Sequence, residues 1–279
     1  MTRLSCARSN AIAFVGVIAL ACVLPARSAR AESKWVDRPY VASLFRFTGE
    51  AGYGVAFGNR LANLGIPDTT KSVDTGGAFY VGAALSLPIG LEVGVRTGFR
   101  LGDAGKSTRA DEFGRMYDIT TFGTGADAAA NPEINLRSSL FGNKIVELGA
   151  EGRFIIPAAT GTSFGQVSGL HLRVHAPTLL RAETAILFPT IFASGGTEWA
   201  IAMPVSVWFQ IGDFYVGGLS GFRAYRYPLE RTDVIAGVGA GYTFAGMFDV
   251  KAQLLTQRIN DSDWSRAAGF GLGASIVAP

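Results

Sequence analysis

After residue 31 the sequence contains no cysteine, because Cys6 and Cys22 both fall before that point. Disulfide bracing and zinc–thiolate sites are therefore excluded from everything that follows. Histidine is almost as scarce, with His171 and His175 the whole supply. No run of 18 or more apolar residues occurs after residue 31, so a transmembrane helix is not expected. Neither sign of charge is in excess. The first 31 residues carry Arg3, Arg8, Arg27 and Arg30 and no acid, so the 25 Lys+Arg of the full chain fall to 21, against 22 Asp+Glu. A chain near −1 carries no footprint for nucleic acid.

Residues 1–31 read as an export signal. Arg3 and Arg8 give a positive start, Ala11–Leu24 is apolar, and Ala29-Arg30-Ala31 is a small-x-small cleavage site before Glu32. The apolar run of 14 is too short for an anchor, which needs roughly 20 residues.

What the chain does have is period two. Across Thr197–Phe222, Trp199, Ile201, Met203, Val205, Val207 and Phe209 are large and apolar. Ala200, Ala202, Pro204, Ser206 and Gln210 between them are small or polar, with Trp208 the exception. Such alternation marks a strand with one apolar face, and the break at Gln210–Asp213 makes it a hairpin. Trp208, Phe209, Phe214 and Tyr215 crowd that turn, as in an aromatic girdle at a membrane surface.

The same pattern predicts strands at 47–58, 78–87, 91–101, 133–140, 144–156, 168–176, 179–192, 233–244, 247–259 and 267–277. With the founding hairpin this makes twelve strands, and different readings of 103–143 would give ten or fourteen. Residues 32–46 read as a leader, and 102–132 as a long outer loop with a possible short strand at Met116–Phe122. A soluble sandwich is the rival fold. Its strands average about 5–6 residues, whereas several here reach the length that crosses a bilayer. Pro189 and Pro204 each remove a ladder hydrogen bond and predict a bulge.

This pattern resembles that of bacterial outer-membrane β-barrel proteins over about Phe47 to Val277. The resemblance implies an all-β, up-and-down transmembrane barrel in the outer membrane, in contact with lipid. It also implies a passive pore for small solutes, with no cofactor. The C-terminal Ser275–Pro279 departs from the class, whose last strand commonly ends on an aromatic residue.

If the bulky residues face lipid, alternation turns Glu92, Arg96, Arg100, Asn135, Arg137, Glu147, Glu151, Arg153, His171, Arg173, His175, Arg181 and Glu183 inward. Two roles are open to them: a salt-bridged filling, or a constriction that selects solutes, with a weak preference for anions. The opposite wall is bare. Gly52, Gly54 and Gly58, then Gly237, Gly239 and Gly241, then Gly269, Gly271 and Gly273 share inward registers. That wall is expected to receive a plug, from 32–42 or from 102–132, or else to leave a clear channel.

Other chemistries fare worse. Gly102–Thr108 lacks the first glycine of a phosphate loop, with Arg100 in its place. The glycine runs have no dinucleotide spacing. A lipid-modifying enzyme would use Ser168 with His171 or His175 and Glu183, but Ser168 is not set in a GxSxG elbow. The same histidines with Glu183 lack a third firm metal ligand. A closed barrel serving structure or adhesion through its outer loops is the remaining alternative.

Overall fold

The computed structural model describes residues 34–42, 45–56, 76–101, 132–157, 164–193, 196–227, 232–256, 259–260 and 268–278. Twelve strands occupy most of them: β1 (Phe47–Ala56), β2 (Gly76–Leu87), β3 (Leu91–Leu101), β4 (Glu133–Gly142), β5 (Val146–Ile155), β6 (Phe164–Ala176), β7 (Leu180–Ala193), β8 (Gly196–Ile211), β9 (Phe214–Tyr227), β10 (Thr232–Phe244), β11 (Phe248–Thr256) and β12 (Ala268–Ala278). Each pairs antiparallel with its neighbours, and β12 returns to β1, so the sheet closes and no edge is left open. The strand number and order agree with the sequence pattern. The signal segment and the short strand expected at Met116–Phe122 lie outside the described residues.

Closure and alternation together set the two surfaces. In β8, Trp199, Val205 and Phe209 are exposed outward, while Ala200, Ala202, Trp208 and Gln210 are buried inside. Leu170, Leu172 and Val174 of β6, Val238 of β10 and Leu254 of β11 continue the apolar exterior. Such an exterior on an edgeless sheet is the form hydrocarbon demands, since a closed ladder pairs backbone groups within the barrel. Val238 stands mid-strand and 61% exposed. A Val238→Arg variant is expected to lose about 2–4 kcal/mol of folding stability in bilayers, read by urea titration in liposomes. A neutral result would mean this face does not meet acyl chains.

Two local expectations need correcting. Pairing of β7 with β8 keeps one register from Leu180↔Phe209 to Ala193↔Gly196, so neither Pro189 nor Pro204 makes a bulge there. Pro204 is accommodated instead by its partner Gly221, whose φ of 147° and missing side chain allow a close approach. The register shifts fall elsewhere, at Ser139/Phe141 and Trp199/Ala200. The turn after β4 also comes later than predicted, because Phe141 and Gly142 still pair with Leu148 and Glu147.

Pairing of Phe47 with Ala278 puts the start of β1 and the end of β12 at one end of the barrel. The tight turns 88–90, 143–145, 177–179, 212–213 and 245–247 lie at that same end. Residues 34–42 approach from there.

Candidate functional site

Inside the barrel the charged wall is a chain of ion pairs running around the lumen. Arg96 holds Glu50 of β1 at 2.6 Å and faces Glu133 at 3.8 Å. Arg137 reaches Glu92 at 3.5 Å and Glu151 at 3.9 Å, and Ser86 donates to Glu92. Glu151 is the hub, with Arg153 at 2.5 Å and His171 at 2.9 Å. Glu147 takes His175 at 2.9 Å and Arg173 at 3.7 Å. Glu183 lies between Arg173 and Arg181, at 2.5 Å and 3.2 Å. All the inward positions inferred from alternation are thus placed on one continuous surface, except Arg100, whose side chain lies outside the described residues.

Alternation carried through every strand would have added Glu133 of β4 and, from the strands outside β3 to β7, Glu50, Arg223, Asp233, Asp249 and Lys251. The acids among them offset the surplus of arginine inferred from β3 to β7 alone. Arg223 and Asp233 are register partners and both are buried.

The short-turn end of the lumen is filled by residues 34–42. Trp35–Asp37 form one 3-10 turn, and Trp35 and Val36 are 7% and 0% exposed. The segment makes no ladder, so its backbone groups need other partners or burial would be costly. Wall side chains supply them. The Val36 N–H donates to Gln210 at 3.3 Å, and the Tyr40 N–H to Glu147 at 3.1 Å. Arg181 donates to the Trp35 carbonyl at 3.1 Å, and Arg173 to that of Arg38 at 3.0 Å. His175 is clamped between the Val36 carbonyl, 2.6 Å from Nδ1, and Glu147, 2.9 Å from Nε2. The segment's own side chains add Arg38 to Asp249 and Asp37 to the backbone of Thr178.

Two aromatic seats fix its position. Trp35 stacks on Tyr215 (4.5 Å, 7°) and meets Trp208 edge-on, with the Arg181 guanidinium 3.5 Å over its ring. Tyr40 lies flat over Gly149, where a Cβ would collide with its ring, and Arg173 stands 5.3 Å from its centroid. Burial, with Glu151 adding, raises the Tyr40 phenol above its usual range, so it stays neutral. Trp208 and Tyr215 therefore do not belong to the aromatic girdle inferred from the turn; they point inward and form the seat. Phe209 and Phe214 alone of that group face out.

The plug thus leans on the charged wall of β5 to β9 and β11, not on the bare wall. Gly52 and Gly54 do face Gly273 and Gly271 across the closing ladder, as alternation required. That wall stands across a cavity of about 360 Å³, lined by Glu50, Arg96, Glu151, Lys251 and Gly273 among others. Beyond the plug lies a second cavity of about 170 Å³, lined by Arg38, Pro39, Arg46 and Gly246. Thr48, Tyr40, Arg137, Arg173 and Arg181 border both. They form the partition between lumen and mouth.

The alternative chemistries find no support in this geometry. Ser168 is on the outer face and His171 on the inner, so the two do not meet. His171 and His175 pair with different glutamates, and no cluster of three metal-ligating side chains occurs among the described residues.

No protein-family model matches this chain, and no curated protein matches its sequence. Solved structures do match. The KdgM porin superposes with a TM-score of 0.51 over 82% of this chain and 98% of that one, at 8% identity. The NanC porin gives 0.51 over the same shares at 7% identity. The COG4313 outer membrane channel from Pseudomonas putida F1 gives 0.51 over 86% and 98%, at 11% identity. At such identities the likeness is one of fold, and the fold is that of bacterial outer-membrane barrels.

Proposed function

We propose that this protein is an outer-membrane pore that passes small solutes by diffusion, exported by a signal cleaved near Ala31. The carrying observation is the pair of charge-lined cavities that lie on either side of the partition of Tyr40, Arg137, Arg173 and Arg181. Twelve strands lie between the eight whose interior side chains fill and the sixteen or more that leave an open channel. Passage is then set by what narrows the lumen, here residues 34–42. Structural similarity to channels named as porins agrees with this reading.

Selectivity comes from the partition. Summed over the lumen, acids and bases nearly balance, but three guanidiniums gather at the narrowing itself. A ring of arginine at a constriction favours anions. The preference is weak, because Glu92, Glu151 and Glu183 lie beside them. Planar-bilayer recording of the purified protein tests both parts. A KCl gradient is expected to give a reversal potential on the anion side, moving toward zero in Arg137→Gln. The absence of any conductance would remove the pore. An unchanged reversal potential in the variant would remove the role of the partition.

A further inference from the structure

The seat of Trp35 is more specific than a plug requires. A ring is held flat against Tyr215, edge-on to Trp208, under the Arg181 guanidinium and 4.6 Å from the Lys251 ammonium. Two glycines make this slot possible. A Cβ at Gly217 would strike the ring of Trp208, and one at Gly241 the ring of Tyr215, so both aromatics lie down against the neighbouring strand. Arg181 uses the same residue twice, stacking on the indole and donating to the carbonyl of Trp35 at 3.1 Å. The slot thus reads a planar ring carrying an oxygen acceptor on a short tether. It opens onto the 360 Å³ cavity, which Trp35, Trp208, Tyr215, Arg181 and Lys251 all line.

We propose that this slot is a binding site for a planar aryl-alkanoic acid, which takes the place of Trp35 and so releases the plug. The inference rests on the pore reading for its purpose, though not for its binding step. A carboxylate answers Arg181 better than the peptide carbonyl it replaces, because both oxygens of the anion accept from the guanidinium fork. Its ring recovers the stack on Tyr215 and the cation–π contacts. Departure of the plug also takes Arg38 from Asp249, which keeps its hydrogen bonds from Thr243 and Ser275. The solute would therefore unlock its own path, and Trp35 is the built-in competitor.

Indole-3-propionate reproduces the Trp35 ring, tether and acceptor and is the probe. Calorimetry on the full chain in detergent compares it with its neutral amide, for wild type, Trp35→Ala, Arg181→Met and Arg181→Lys. A competitor that occupies the slot more than nine-tenths of the time lowers apparent affinity about tenfold. Trp35→Ala is thus expected to bind the acid at least about tenfold tighter than wild type. The amide and both Arg181 variants should bind much more weakly, and the acid should speed trypsin cleavage after Lys34 in wild type. Trp35→Ala lies outside the barrel strands and leaves their pairing intact. Equal affinity in Trp35→Ala and wild type overturns the proposal, as does equal binding of acid and amide. A protein that conducts ions but fails this binding test loses the slot and keeps the pore; one that binds but never conducts does the reverse.

Discussion

Deletion of residues 34–42 is expected to raise single-channel conductance several-fold while the barrel remains folded. The segment is the narrowing element, and it contributes no strand to the closed sheet. Its hold is the sum of the aromatic seats and of the bonds from Gln210, Glu147, Arg173, Arg181 and His175 to its backbone. Those wall groups face water once the plug is gone, so the deletion strands no polar group in a dry site. Trp35→Ala should act in the same direction through the equilibrium of the plug. Truncating a buried tryptophan costs about 3 kcal/mol, and each 1.4 kcal/mol is a factor of ten, so the open fraction should rise about a hundredfold. Longer openings in bilayer recordings would register this before any change in unitary conductance. Conductance of the deletion variant equal to that of wild type would show that the plug does not control passage.

Glu151→Gln should have the second large effect, and it should act on stability and selectivity together. Glu151 is 8% exposed, neutralises Arg153 directly and Arg137 at longer range, and lies 2.9 Å from the His171 ring. Without its charge these groups confront one another across the lumen. Removing one partner from a buried ion-pair cluster costs about 3–5 kcal/mol, and lumen water brings the expected loss to the lower end, about 3 kcal/mol. The temperature at which the folded electrophoretic form converts to the unfolded one should fall accordingly. In the same variant the reversal potential should move further toward anions, because Arg137 borders the partition. A variant as stable as wild type would mean that the cluster merely fills space. A shift toward cations would contradict the electrostatic account of the partition.

Much of this was legible before any coordinates. Alternation identified the outward face of β8 and the inward register of Glu92, Arg96, Arg137, Glu151 and Arg173, because a strand in a closed sheet has only two faces. It also required Gly52 and Gly54 to meet Gly273 and Gly271, since closure makes the first and last strands neighbours. The same rule misled where a second signal competed with it. Trp208 and Tyr215 read as interface aromatics from their nearness to a turn, although their parity already turned them inward. Pro204 read as a bulge because Gly221, which absorbs it, lies on the next strand.

Residues 34–42 were the least legible part, for a physical reason. The segment has no period, because it makes no ladder. Five of its backbone groups, the N–H of Val36 and Tyr40 and the carbonyls of Trp35, Val36 and Arg38, bond to side chains remote in sequence. The bond from Val36 to Gln210 spans 174 positions. By itself, then, the sequence determined most of the strands, their two faces and the polar lining of the lumen, all of which follow from a period of two and the need to close a sheet in lipid. The count of twelve was fixed by the pairing. Only the tertiary structure decided which wall bears the plug and that Trp35 sits between Tyr215 and Arg181. Those contacts depend on distances across the barrel, to which local periodicity is blind.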